Sequence, residues 1–308
     1  WRPDIEFAKN SRHMTPCVYG LKSFSDLFTT RQLAALATFS DLVGEAISKA
    51  RVDAIAAGLA DDGQALDEFG SGATAYAQAV GVYLAFALDK MADLGNSLCR
   101  WEPIAQCPRQ LFGRQAIPMV WDFAEGNPLG ASSGAWEIFI DGLYKAFLKA
   151  FDSVPSWYKG TAAQADAQSQ RISTNKLVST DPPYYDNVPY ADLSDFFYVW
   201  LRRSLKPVFP NLFATLAVPK AEELVADSFR HGSKEQAEKF FLEGMTGAMR
   251  NLVQCAHPAF PVTIYYAFKQ SDTSDQDGTS STGWETFLEA VLNAGFAVAG
   301  TWPMRTEN

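Results

Sequence analysis

The feature that most constrains the fold is an alternation of strand-like and helix-like segments that begins after residue 174. The strand-like runs are apolar or rich in β-branched residues, and they lie at 177–178, 262–268 and 296–302. Helical patterns separate them, and one of these places Leu193, Phe197 and Trp200 on a single face. Such alternation is typical of an α/β sheet covered by helices. We therefore predict that 175–308 is an α/β domain.

The first half of the chain has a different texture, because helical periodicity dominates it. The helical patterns run over 31–59, 74–94 and 136–151. Thr29 or Thr30 precedes the first of them and is a suitable helix cap. A stretch rich in Gln, Ala and Ser then separates this part from the alternating segments. We predict a mostly helical region at 1–152, a connection at 153–174, and the α/β part at 175–308.

The charge balance limits how the chain can bind nucleic acid. It holds 26 Lys and Arg against 35 Asp and Glu, a net charge of -9. A protein that grips DNA by its phosphates needs a basic face, so the composition counts against a strong grip by this chain alone. A local basic patch such as Arg202, Arg203 and Lys206 is compatible with it, and a further domain or partner would supply more positive charge.

Cysteine usage and hydropathy indicate the compartment. The four cysteines show neither a C-x-x-C pair nor zinc-ligand spacing, and we predict reduced thiols in the cytoplasm. The three histidines are scattered, so we predict no metal site. The longest apolar candidate, 79–88, has ten residues, whereas a membrane-spanning helix needs about 20. We therefore predict no membrane association.

The most informative motif is Asp181-Pro182-Pro183-Tyr184, which follows the run at 177–178. Open α/β sheets bind ligands at the carboxyl ends of their strands. The two prolines have no backbone N–H and a fixed φ, which leaves their carbonyls free to accept hydrogen bonds. The motif therefore combines a carboxylate, carbonyl acceptors and an aromatic face. This combination suits an exocyclic NH2 group on a planar ring.

Acceptors that draw on the hydrogens of such an amine make its nitrogen more nucleophilic. Attack on an activated methyl group then depends on positioning and electrostatics more than on acid–base catalysis. Because the amine of a paired base is not reachable inside a duplex, the base must first leave the stack.

The motif resembles the D-P-P-Y signature of the S-adenosylmethionine-dependent amino-methyltransferases of DNA. The longer run 181–203 resembles one subgroup of them, the large adenine-specific DNA methylases of bacteria and archaea that carry a conserved domain called DUF1156. Further similar stretches lie at 112–116, 121–125, 265–270 and 300–307. The resemblance implies a Rossmann-like class I methyltransferase sheet with a largely helical N-terminal part. It also implies methylation of adenine N6 in DNA, and other phage-defence proteins as partners.

The resemblance assigns roles to individual residues. Asp181 would accept one hydrogen bond from the adenine amine and the Pro182 carbonyl would accept the second, with Pro183 stiffening the catalytic motif. Tyr184 would stack on the flipped base. Tyr184, Tyr185 and Asn187 would together bind the substrate.

The resemblance also implies S-adenosylmethionine as cofactor, bound beside Asp181 with its methyl group in line. The stretch 26–33 resembles the F-T-P-R-E-L element that contacts this cofactor in many adenine methyltransferases, which makes Phe28 and Thr29 cofactor-binding candidates. Thr30 replaces the usual proline, and an ordinary capped helix start is an equally good interpretation. The family's glycine-rich cofactor turn lies far toward the N-terminus and is not found here, so we expect the chain to be a fragment.

One polar stretch, 125–134, contains three glycines. It has no G-x-G-x-x-G pattern and follows no clear strand, so we interpret it as a loop without a ligand.

Three alternatives remain open. The target could be cytosine N4 or a base in RNA, because D-P-P-Y is shared across amine methyltransferases. The chain could instead be a non-catalytic subunit that recognises nucleic acid or scaffolds a phage-defence complex, which its acidic charge and missing glycine turn favour. In the third alternative the proline motif is only structural, and Asp181→Ala would change stability without affecting binding or methylation.

Overall fold

The computed structural model of the protein describes residues 1–8, 12–152, 160–185, 188–267 and 282–304. Within these residues the chain forms seven α-helices and two small sheets. It divides into two compact units that are interleaved in sequence. Unit 1 comprises Trp1–Lys159 and Tyr190–Lys220, and unit 2 comprises Gly160–Pro189 and Ala221–Asn308. The segment from Tyr190 onward, a few residues after the proline motif, thus belongs to the first unit, whereas the motif itself belongs to the second.

Unit 1 is built mainly from four helices. These are α1 (Thr30–Ala56), α2 (Ala73–Leu94), α3 (Trp136–Phe151) and α4 (Tyr190–Leu205). The three helices predicted in the first half are present as α1, α2 and α3. In α1 and α2, many of the periodic apolar residues that predicted the helices are buried. The helices α1 and α2 approach closely at Gly81, where a Cβ atom would collide with the side chain of Ile47.

Aromatic residues of α4 complete the core of unit 1. Trp200 and Phe196 are fully buried, and Phe196 stacks on Phe28 with ring centroids 5.8 Å apart. A hairpin of two strands, each two residues long, lies elsewhere in this unit, where β1 (Trp101–Glu102) pairs antiparallel with β2 (Cys107–Pro108).

Unit 2 contains the only parallel strand pair of the described residues. The strand β3 (Ser179–Thr180) pairs with β4 (Thr263–Ile264), with Thr180 opposite Ile264. The helices of this unit are α5 (Ser228–His231), α6 (Lys234–Cys255) and α7 (Thr282–Asn293). Phe241 and Met245 of α6 form a buried cluster with Phe287 of α7. This cluster supports the segment that follows β3.

The prediction of a Rossmann-like α/β methyltransferase sheet is wrong. The described residues form a mostly helical protein with two sheets of two strands each. Of the three strand-like runs, the first leads into β3, the second contributes only Thr263–Ile264, and 296–302 forms no strand.

The reason is that the strand-like runs have too few strand partners and too little cover. Strands of a parallel sheet are covered on both faces and bonded to neighbouring strands. Within the described residues β3 and β4 pair only with each other. Val178 belongs to the buried cluster of unit 2, but Leu177 is 66% exposed, Val298 50% and Trp302 81%, so these runs are not covered on both faces. Short apolar runs do not by themselves distinguish a sheet strand from an extended segment.

None of the helices in the described part of the chain combines the length and the apolar composition that crossing a bilayer requires. All four cysteines are free thiols. Burial raises the pKa of the Cys99 thiol to about 12, which keeps it protonated and unreactive at neutral pH.

Candidate functional site

The strand pair of unit 2 positions the proline motif. The backbone N–H of Thr263 donates to the carbonyl of Val178 at 3.1 Å, and the N–H of Tyr265 donates to that of Thr180 at 2.9 Å. Asp181 is the next residue, so it leaves the pair at the carboxyl end of β3. The predicted placement of the motif at a strand end is therefore observed, although the strand belongs to a pair and not to a large sheet.

Neither predicted acceptor of the motif accepts a hydrogen bond from another described residue. Asp181 is exposed, and no hydrogen bond or ion pair to its carboxylate is found in this part of the chain. Pro182 is buried, and its carbonyl accepts no hydrogen bond within the same set of residues. Two consecutive residues thus carry a carboxylate and a backbone carbonyl with capacity to accept hydrogen bonds.

An aromatic group stands beside these acceptors. The ring of Tyr184 is half-buried and meets the ring of Tyr266 edge-on, with centroids 5.5 Å apart and planes at 80°. Tyr266 in turn stacks on Phe287 with centroids 3.9 Å apart and planes at 8°. Because Phe287 is 3% exposed, these ring contacts connect Tyr184 to the core of unit 2.

Tyr185 is the anchor of the motif. Its backbone N–H donates to the phenolic oxygen of Tyr266 at 3.0 Å, and its carbonyl accepts from the N–H of Ala226 at 2.7 Å. Its ring packs edge-on against Phe241 at 5.2 Å. A Cβ atom on Gly283 would lie 3.1 Å from the Tyr185 Cβ. The predicted substrate-binding residue Tyr185 therefore directs its ring toward the core of unit 2.

Tyr266 is the residue of this site that the sequence analysis did not single out. Burial raises the pKa of its phenol to about 12, with a smaller contribution from neighbouring Tyr184, while the Tyr185 N–H acts in the opposite direction. The phenol is thus neutral at pH 7 and acts as the acceptor for Tyr185. A signal for it existed, because Tyr266 follows β4 just as the motif follows β3, and parallel strands bring their carboxyl ends to the same edge.

The predicted cofactor contacts Phe28 and Thr29 lie in unit 1. Phe28 is 7% exposed and packs between Phe196 and Trp200. Thr29 caps α1, since its hydroxyl accepts from the Gln32 N–H at 3.2 Å while the Gln32 side chain accepts from the Thr29 N–H at 2.8 Å. Both side chains are engaged in packing and capping. The predicted substrate residue Asn187 lies outside the described residues.

A cavity of about 380 Å³ lies near the start of α1 in unit 1. Leu36, Met91 and Leu94 contribute apolar lining, and the glycine-containing stretch 125–134 contributes one wall. At this wall Arg31 forms a two-point ion pair with Glu125, with nitrogen–oxygen distances of 2.6 and 2.9 Å. Phe28 and Thr29 are not among the residues that line the cavity.

In comparisons with known proteins, no family model, no curated protein and no solved structure matches the chain. In the described part of the chain, no group of three or more His, Cys, Asp or Glu side chains lies together in a way that could hold a metal ion.

Proposed function

We propose that the protein methylates the N6 amine of adenine in DNA, with S-adenosylmethionine as the methyl donor. The observation that carries the proposal is the pair of unengaged acceptors, the Asp181 carboxylate and the Pro182 carbonyl, next to the half-buried ring of Tyr184. An exocyclic amine has two N–H donors in the plane of an aromatic ring. Two acceptors beside a stacking ring match this group.

Each residue of the motif has a defined task in this proposal. The Asp181 carboxylate and the Pro182 carbonyl each accept one N–H of the amine, which holds the amine in place and makes its nitrogen more nucleophilic. Tyr184 stacks on the base, which has left the duplex stack. Pro183 keeps the backbone stiff, because its φ is fixed. Tyr185 and Tyr266 hold the motif on the core, so the acceptors do not have to be ordered during the reaction.

The residues proposed to contact S-adenosylmethionine do not form a site for it as they stand. Phe28 is taken up by core packing and Thr29 by helix capping. The donor's role is to supply an activated methyl group when bound, and the described residues of this chain are assigned to the target base alone. We place the protein in the cytoplasm, consistent with its four free thiols, with DNA and other phage-defence proteins as partners.

Asp181→Ala provides the direct test. The change removes the acceptor oxygens of an exposed side chain, so the fold should persist. We expect methyl transfer from radiolabelled S-adenosylmethionine to adenine-containing DNA to fall roughly 10²- to 10³-fold, by analogy with the loss of one precisely placed polar group. Glu222→Ala is the matched control, because it removes another exposed carboxylate of unit 2. Equal activity of the two variants would remove Asp181 from the reaction.

A second candidate function is a non-catalytic methyltransferase-like subunit that recognises nucleic acid or scaffolds a defence complex. The engagement of Phe28 and Thr29 inside unit 1 favours it, as does the net charge of -9. Isothermal titration with S-adenosylmethionine separates the two candidates. Heat of binding to the wild type supports the enzyme, whereas no binding together with no methylation supports the subunit.

A further inference from the structure

A basic depression lies at the carboxyl end of α4 in unit 1. It has a volume of about 540 Å³, and its lining includes Trp1, Arg202, Arg203, Lys206 and Pro210. Three cations thus gather in one place on a chain whose net charge is -9. All of its lining residues belong to unit 1, whereas the proline motif belongs to unit 2.

Two of the three cations pair with no carboxylate in the described part of the chain. Arg202 is fixed by its Nε, which donates to the carbonyl of Thr215 at 2.7 Å. No ion pair involves Arg202 or the exposed Lys206 among the described residues. The guanidinium of Arg202 is therefore held in position while its terminal nitrogens keep the capacity to bind an anion. A held guanidinium is suited to two-point binding of a phosphate.

The third cation organises an aromatic ring. Arg203 pairs with Asp41 at 2.6 Å and lies 4.6 Å from the centroid of the Trp1 ring. The same ring meets Trp200 edge-on at 5.2 Å. Trp1 nevertheless remains 56% exposed. An indole held between a cation and a buried ring, and still open to solvent, offers a surface on which a nucleobase can stack.

Helix stability alone does not account for this arrangement. Cations in the last turn of a helix are favourable because they offset the negative end of the helix dipole, and Arg202 and Arg203 satisfy that rule. It does not require Lys206 beyond the last helical residue. It also does not require an exposed indole beside the cations.

We infer that the depression around Arg202 and Lys206 is a phosphate-contacting surface for DNA. Lys206 follows Arg202 by four residues, and its backbone N–H donates to the Arg202 carbonyl at 3.1 Å. The two side chains thus start from the same side of one helical turn, about 5–6 Å apart at their Cβ atoms. Two unpaired cations at this spacing suit a polyphosphate backbone. The choice of DNA rests on the proposed function, and the residues involved are independent of Asp181.

The test is the salt dependence of DNA binding. Fluorescence anisotropy of a labelled 20-base-pair duplex is measured with the wild type and with the double variant Arg202→Gln/Lys206→Gln, from about 50 mM salt upward. Loss of two phosphate contacts should weaken binding at least about tenfold and reduce the slope of log affinity against log salt by roughly 2. The control is Lys90→Gln/Lys149→Gln, which removes the same charge from exposed residues of unit 1 that do not line the depression.

The outcomes separate this inference from the proposed function. Weaker binding and a smaller slope only in the Arg202/Lys206 variant support the surface, whatever Asp181→Ala does to methylation. An unchanged slope in that variant overturns it, and so does an equal loss in the control variant, since that would reflect net charge. If heparin binds and the duplex does not, the surface is a polyanion site of another kind and the inference fails. Absence of methylation by the wild type would defeat the proposed function without touching this result.

Discussion

The backbone N–H of Tyr185 donates a hydrogen bond to the phenolic oxygen of Tyr266, 3.0 Å away. The bond joins the residue after the proline motif to the second residue beyond the paired strand β4. It lies beside the stacked rings of Tyr266 and Phe287. Together with the bond from the Ala226 N–H to the Tyr185 carbonyl, it fixes the backbone that follows the Asp181 and Pro182 acceptors.

Tyr266→Phe tests the contribution of this bond. The ring stack should persist, but the Tyr185 N–H would lose its acceptor, at a cost of about 1–3 kcal/mol if the group stays away from water. We expect methyl transfer to fall mainly in kcat, with a Tm lower by a few degrees. Tyr265→Phe is the control, because Tyr265 is the exposed neighbour. A lower Tm with an unchanged kcat would assign Tyr266 a purely structural role.

Tyr184 should act through the face of its ring. Tyr184→Ala is expected to weaken binding of the target base by about 1–3 kcal/mol, the usual value of one base–aromatic stack, which appears as a higher KM for DNA. Tyr184→Phe keeps the ring and should stay close to wild type. The comparison uses kcat and KM measured on a duplex with a single target adenine. If Phe is as damaging as Ala, stacking is not what Tyr184 contributes.

Helices were predictable from the sequence to a large extent because their signals are local. The cap at Thr29 and the reciprocal bond with Gln32 are encoded within four residues. The apolar stripe of the third helical pattern gave α3 from Trp136 to Phe151 as expected. In each case the residues that define the element are neighbours on it.

Strands were not predictable to the same extent, because a strand depends on a partner far away in sequence. The run at 296–302 has strand-like composition, yet Val298 is 50% exposed and the segment pairs with nothing in the described part of the chain. The same difference between local and distant signals applies to the candidate site. The place of Asp181 at a strand end followed from local sequence, whereas the bond from Tyr185 to Tyr266 joins residues 81 positions apart.

Asp61 should make the stability of unit 1 depend on pH in the acidic range. Its carboxylate accepts from Arg51 at 2.6 Å and from the Thr74 N–H at 3.1 Å, and chiefly the Arg51 contact lowers its pKa to about 2. A lowered folded-state pKa stabilises the fold above the ordinary Asp value of about 4. That contribution is lost as pH falls from about 4 to about 2.

Asp61→Asn is the matching experiment. The variant should unfold at a lower temperature than wild type at pH 6, and the difference should shrink progressively as pH is lowered through this window. Thermal unfolding followed by circular dichroism at several pH values gives the comparison. A difference in Tm that stays constant from pH 6 to pH 2.5 would show that the ionised form of Asp61 contributes no stability.

Asp89 should behave in the opposite way. Burial, and secondarily the nearby charge of Asp93, raises its pKa well above the ordinary value, and its Oδ1 has no hydrogen-bond partner among the described residues. The ionised form is therefore disfavoured in the folded state, which lowers stability as pH rises above the unfolded-state pKa of about 4. Asp89→Asn removes the charge at nearly constant volume.

We expect Asp89→Asn to raise the Tm at pH 7 by roughly 2–4 °C for each kcal/mol gained. The gain should disappear as pH falls below about 4, where wild-type Asp89 becomes protonated in both states. Asp67→Asn controls for the change in net charge, because Asp67 is exposed in the short helical turn Leu66–Glu68. A Tm at pH 7 equal to or below that of wild type would mean that the Asp89 carboxylate is compensated in the folded protein. Burial of the ionised Asp89 carboxylate on α2 would then cost no stability.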